Sequence, residues 1–168
     1  MGHARTMTVA LSDPVHRPSP KAPLVWAISA ALPWVVAVVA QGAWWVMTPT
    51  PGWLHVTAAV GTVFGAVLSV GVAPVWRYRV HRWDLDDRAL YTRTGWLTQD
   101  RRIAPISRVQ TVDTHRGPLD RLFGLADVTV TTASSAGAVR VMALDVDVAD
   151  RLVARLTDIA ALGEQDAT

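Results

Sequence analysis

Ser107, Asp113 and His115 supply the three side-chain types of a nucleophilic triad within one short stretch. A triad requires nucleophile, base and orienting carboxylate within mutual hydrogen-bond reach. Asp113 and His115 are two residues apart on an expected strand and share a face. No glycine elbow surrounds Ser107, so catalysis is not expected there. Asp84, Asp86 and Asp87 carry calcium-type oxygens, but the glycine and terminal glutamate of an EF-hand are missing. A solvated hairpin turn explains them better. The five histidines are scattered without ligand spacing, and His55 at the head of an apolar run fits an interfacial position. Cysteine is absent, which removes disulfides, thiolate zinc and iron–sulfur clusters. The expectation is a protein without catalytic site, metal or cofactor.

Arginine distribution has more functional weight. Residues 77–121 carry ten arginines against six acids, and residues 122–168 carry three against seven. Anionic headgroups attract a juxtamembrane Lys or Arg by about 1 kcal/mol each. Arg77, Arg79 and Arg82, with Arg101 and Arg102 in an expected loop, are therefore candidates for contact with a membrane surface or an anionic lipid. The alternative is that the first three enforce topology and the last two serve solubility. The formal net charge of +2 gives nucleic-acid binding little support.

The chain must position these groups, and its charges are segregated. It is 51% hydrophobic and 18% charged, which is apolar for a soluble domain. No Asp, Glu, Lys or Arg occurs in Leu24–Met47 or in Gly52–Trp76. A helix over the first stretch is roughly 36 Å long, more than the hydrocarbon core of about 30 Å. Pro33 lies inside it, which bilayer helices tolerate, and Trp44 and Trp45 suit the headgroup zone. Residues 53–76 form a second span after the turn at 48–52. Thr57, Gly61, Gly65, Ser69 and Ala73 make a stripe of small residues that packs the first helix or a second copy of the chain. Arg17 and Lys21 precede the hairpin and Arg77, Arg79 and Arg82 follow it, which predicts both termini in the cytoplasm at the plasma (inner) membrane. A cleaved signal ending at Ala40 fits poorly, because the apolar run continues through Trp45. Residues 1–23, with Pro14, Pro18, Pro20 and Pro23, read as a flexible tail.

After Trp76 the pattern shifts to short alternating runs. Residues 77–85 and 89–95 flank the turn Asp86-Asp87-Arg88. Further strands are expected at 101–106, 109–116, 127–132 and 139–144, with a short helical turn at 119–123. Leu152, Val153, Leu156, Ile159 and Ala160 lie on one helical face. Asp147 is the expected N-cap and Gly163 the expected stop. The fold class is α+β: a transmembrane helical hairpin (24–47 and 53–76), then a domain at 77–162 whose curved sheet or partial barrel is closed by a C-terminal helix, and a tail at 163–168.

Ile106-Ser107-Arg108-Val109-Gln110-Thr111-Val112-Asp113, then Gly117-Pro118-Leu119, Arg121-Leu122-Phe123-Gly124-Leu125 and Thr132-Ala133 resemble the signature of the YdbS-like bacterial pleckstrin-homology (PH) domain family. Trp83-Asp84-Leu85, Leu90-Tyr91 and Gly95-Trp96-Leu97 fit the hairpin preceding it. The resemblance covers about residues 24–162 and implies a bent seven-stranded sheet capped by a helix. The serines and alanine at 134–136 depart from the family's Thr-Ala-Gly turn. Arg108, Gln110, Gly117, Pro118, Phe123 and Gly124 are read as structural, with Arg108 and Gln110 bonding neighbouring backbone. The expected role is a membrane-anchored interaction module without catalytic activity; the alternative is an anionic-lipid-binding or lipid-handling component of a membrane complex. The resemblance suggests as partner a larger membrane protein carrying related domains, and homo-oligomers are compatible with the stripe.

Overall fold

The computed structural model describes residues 14–95, 100–133 and 137–165. Helix α1 (Ala22–Met47) turns back into α2 (Gly52–Ala66), which passes through a π-helical stretch, Val67–Val72, into α3 (Ala73–Val80). Both long helices, Ala22–Met47 and Gly52–Val80, are long and apolar enough to cross a membrane. Their large apolar side chains, Val36, Val39, Val60 and Phe64 among them, are exposed, the pattern that lipid rather than a protein core would cover. In the π stretch Ala73 N donates to Leu68 O, five residues back. Pro74 follows at the start of α3. Its ring crowds the carbonyl four residues earlier, and the widened turn removes that clash.

The hairpin is held from inside. Trp34 Nε1 donates to Ser69 Oγ at 2.6 Å, and Ser69 Oγ donates to Gly65 O at 2.8 Å. The Trp34 indole occupies the space that a side chain at Gly65 would need, whereas Gly61 has nothing within 4 Å of its missing Cβ. Gln41 Nε2 donates to Thr62 Oγ1 further along. The lower part of the small-residue stripe thus packs within the hairpin. Gly65→Val should cost about 2 kcal/mol through overpacking, read as a lower thermal midpoint of the full chain in detergent. Gly61→Val should leave the midpoint unchanged, and equal effects would contradict this packing.

Beyond the span, β1 (Arg82–Leu85), β2 (Ala89–Thr94) and β3 (Asp100–Pro105) form an antiparallel sheet in that order. After a single 3₁₀ turn, β4 (Val109–His115), the short helix α4 (Pro118–Phe123), β5 (Leu125–Thr132) and β6 (Val139–Asp145) lead to α5 (Val146–Gln165). Strands β4, β5 and β6 make a second antiparallel sheet. The described residues therefore hold two three-stranded sheets and no closed barrel, one strand fewer than the resemblance implies. Trp83, Leu90, Ala104, Val128, Val130 and Val141 meet Leu152 and Leu156 of α5 in the core, with Val153 and Ile159 packed at its margin.

Boundaries differ from expectation at several places. Residues 77–80 continue the helix instead of opening a strand, since Arg77 and Arg79 in a last turn favour the helix C-terminus. Helix α5 starts at Val146 and passes Gly163, so Asp147 lies in the first turn and is not the cap. Val146 N donates to Gly124 O, a backbone partner that replaces a side-chain cap. A glycine inside a helix costs only about 1 kcal/mol.

From His16 onward the segment before α1 is held against the domain, contrary to the flexible-tail expectation; residues 1–13 lie outside the described residues. His16 and Trp83 exchange both backbone hydrogen bonds at 3.0 Å. Pro18 and Ser19 are buried. The prolines restrict the unfolded chain, and β1 is an edge strand whose free backbone groups need partners. Leu85 N, the next donor along that edge, turns to Asp84 Oδ1 at 2.9 Å. Residues 96–99 and 134–136, named with the sequence motifs, also lie outside the described residues.

Candidate functional site

The end of the hairpin and the domain meet in a second, smaller core. Ala22 and Val25 of α1 pack on Leu125 and Ala143, flanked by Trp26, Tyr78, Leu119 and Phe123. Among the described residues Ala143 is the non-glycine residue with positive φ, 53°, at an irregularity in the β5–β6 register. That conformation costs roughly 1–2 kcal/mol, and the joint holds it. Ala143 N donates to Asp127 Oδ1 at 2.7 Å, and Ala143 O accepts from Ser19 N at 2.8 Å. Burial pushes the Asp127 carboxyl above its usual range, while the Ala143 N–H works against the shift. Lys21 Nζ reaches Phe123 O at 3.2 Å and Asp145 Oδ1 at 3.4 Å. The anchor and the sheet are thereby one packed unit.

The expected arginines divide around this joint. Arg77 lies with its guanidinium 4.3 Å from the Trp26 ring centroid and donates to Met142 Sδ at 2.9 Å. It is used in packing. Arg79 is exposed on the last turn of α3. Arg101 and Arg102 lie on β3 and not in the expected loop, because both pair with β2; Arg102 faces the other way from Arg101 and donates to Ala138 O at 3.2 Å. Arg82 and Arg101 come together, but through a residue that the sequence reading missed. Arg82 is directly opposite Arg93, and Arg93 is directly opposite Arg101.

This row crosses the outer face of the first sheet at the end nearest the span, because Trp83, Leu90, Thr92 and Ala104 take the inner face. Like charges directly opposite on a sheet are unfavourable. Partial burial, then Arg17 and Arg93, push Arg82 below the ordinary arginine value, with Tyr78 opposing. Arg82 Nε is shielded from solvent and has no hydrogen-bond partner among the described residues. Arg17 is placed beside Arg82 by the His16–Trp83 pairing, with its carbonyl accepting from Trp83 Nε1 at 3.4 Å. On the same face Asp84 faces His16 Nδ1 at 3.3 Å.

The triad types do not converge. Ser107 is on the 3₁₀ turn, Asp113 and His115 are on β4, and all three are exposed. Asp113 accepts from Thr111 Oγ1 at 3.3 Å. Asp86 Oδ1 closes the first hairpin by accepting from Arg88 N at 2.8 Å and Ala89 N at 2.7 Å. Among the described residues no group of three or more His, Cys, Asp or Glu could hold a metal. His55 is buried against Trp44 and Trp45 and bonded to Thr50 Oγ1 at 2.5 Å, so it closes the hairpin turn.

The signature residues have visible local roles. Gly117 N donates to Asp120 Oδ2 at 2.9 Å, Pro118 opens α4, and Gly124 ends it at φ 69°. Such a left-handed C-cap suits glycine. Phe123 packs in the joint. Arg108 and Gln110 depart from expectation: both are exposed, and neither side chain is hydrogen-bonded among the described residues. The 3₁₀ turn and the register shift between Val109 and Thr111 turn them outward. Arg108 contributes its backbone carbonyl, which accepts from Ala133 N at 3.0 Å.

Outside the row, a groove of about 840 Å³ runs between β1 and α5, lined by Trp83, Leu85, Leu152 and Ile159 with Arg155 and Asp158 at its rim.

Comparison with known proteins agrees with this architecture. The bacterial PH domain family matches residues 19–159. The chain is 31% identical over 121 residues to the UPF0699 transmembrane protein YdbS of Bacillus subtilis (strain 168), covering 69% of this chain and 72% of that protein. No solved structure matches. The residues of the joint between hairpin and sheets fall inside the matched region. This chain belongs to the YdbS-like bacterial PH domain family of membrane proteins.

Proposed function

We propose that the protein is a non-catalytic interaction module held at the inner face of the plasma membrane, with both termini in the cytoplasm. The observation that carries this reading is the second core. Ala22, Val25, Trp26 and Tyr78 of the helices are packed into Leu125, Ala143 and Phe123 of the domain. A flexible tether would leave the domain free to rotate, whereas this joint fixes which surfaces face the bilayer and which face away. Fixed presentation at a surface raises the effective concentration for a membrane partner. The apolar groove between β1 and α5 suits contact with protein, and a larger membrane protein with related PH-like domains is the proposed partner. Arg82 and Arg101 near the span exit favour a second reading, contact with anionic lipid.

Two measurements test this. A reporter active only in the cytoplasm, fused after Thr168, is expected to give signal; silence there with activity from an externally active reporter overturns the topology. A photo-crosslinking residue at Ile159, in the groove, is expected to trap a discrete membrane protein, and the same residue at exposed Thr114 on β4 is not. Identical crosslinking at the two positions, or none at Ile159, overturns the module reading.

A further inference from the structure

We propose that Arg17, Arg82, Arg93 and Arg101 form a binding site for the phosphate group of an anionic lipid. It rests on the inner-leaflet placement proposed above and gives that placement a specific ligand. Three strands bring Arg82, Arg93 and Arg101 into one cross-strand row. Neighbouring strands are about 4.8 Å apart, so the row is roughly 10 Å wide, and long arginine side chains from its two ends can converge on one phosphate. Arg17 is held beside this strand, its carbonyl accepting from Trp83 Nε1 at 3.4 Å, and its charge acts on Arg82.

Two features together separate this row from a solvated charge cluster. The guanidinium-bearing residues are directly opposite one another, an arrangement that an intervening anion converts from repulsion to attraction. Arg82 Nε is already withdrawn from water without a partner among the described residues. Position then selects the source of the phosphate. Arg82 is two residues past the end of the second span at Val80, and Arg17 is five before the start of the first at Ala22. Both approaches therefore meet at headgroup level, where lipid phosphates are concentrated and the leaflet potential is strongest.

The test uses the full-length protein in a non-ionic detergent, titrated with dioleoyl phosphatidylglycerol or dioleoyl phosphatidylcholine and read by native mass spectrometry. Phosphatidylglycerol should bind more tightly than the zwitterionic lipid. The Arg93→Gln/Arg101→Gln variant should lose that preference by about thirtyfold in affinity, from two charges at the headgroup surface. Arg17→Gln, outside the sheet and so free of any effect on strand pairing, should lose part of it. Arg121→Gln, an exposed arginine on α4, should not change it. Equal binding of the two lipids overturns the site, as does a preference that survives the double variant. Displacement of phosphatidylglycerol by millimolar inorganic phosphate would show a site for the free anion and overturn the lipid assignment. Because the titration is done in detergent, its outcome is independent of the reporter and crosslinking results, so failure of this site and failure of the module reading remain distinguishable.

Discussion

Replacing Leu156 by Asp should unfold the extramembrane domain while leaving the hairpin inserted. Leu156 is 1% exposed on α5, in the core with Val128, Val130, Val141 and Leu152. Truncation to Ala alone would cost about 2–5 kcal/mol from lost transfer energy and the cavity left behind. An unpaired carboxylate adds desolvation with no compensating hydrogen bond. The total approaches the 5–15 kcal/mol by which an ordinary domain is stable. The measurement is limited proteolysis of the full chain in membranes: new cleavage across β1 to α5, with the hairpin still resistant to alkaline extraction. Unchanged protection would mean that α5 does not close the sheets as described. Leu156→Met, which conserves volume and polarity, should remain protected.

That helix shows what was legible in the sequence. Leu152, Val153, Leu156 and Ile159 recur with a helical period, and all four are in or beside the core. The two charge-free runs gave the spans for the same reason, since bilayer solvent acts on every residue of a segment at once. Features that depend on pairing between distant segments were less visible. A three-residue turn at Asp86-Asp87-Arg88 would set Arg82 opposite Thr92; the observed register, Leu85 opposite Leu90, sets it opposite Arg93, and Arg101 joins the row only through the β2–β3 register. Arg17 reaches it through the bond between His16 and Trp83, which joins residues far apart in the chain.

Composition also misled. The prolines at 14, 18 and 20 suggested a tail because they cannot build a helix or sheet, but the same rigidity lowers the entropy of laying an extended segment along β1. Arg77 looked like a surface charge because arginine usually is one. It is exposed, but its guanidinium also lies over the Trp26 ring and donates to Met142 Sδ, a use that no local pattern announces. At Ala143, nothing in Val-Met-Ala-Leu foretells a positive φ. The register shift, Asp127 and Ser19 impose it together.

The stability of the domain should fall as pH drops from 6.5 to 4, and His81 should account for much of that loss. His81 follows the last turn of α3 and is 1% exposed, with Nε2 lacking a hydrogen-bond partner among the described residues. Burial, and then the neighbouring Arg77 cation, lower its pKa to about 4 from the ordinary 6.5. The folded protein therefore keeps His81 neutral while the unfolded chain takes up a proton below pH 6.5. Above 6.5 neither state binds that proton, so the contribution is fully retained. It is lost progressively through the window and is complete near pH 4, amounting to about 3 kcal/mol. Asp127, whose pKa burial raises, works in the opposite sense, but it is common to any pair of variants. The decisive comparison is the full chain against His81→Phe, unfolded in detergent from neutral pH to pH 4. Phenylalanine removes both the titration and the unsatisfied nitrogen, so the variant should match or exceed its parent at neutral pH. The difference between them should widen by about 3 kcal/mol on acidification. Parallel pH profiles would show that His81 is hydrated in the folded protein, and that the joint between anchor and sheet is looser than its packing implies.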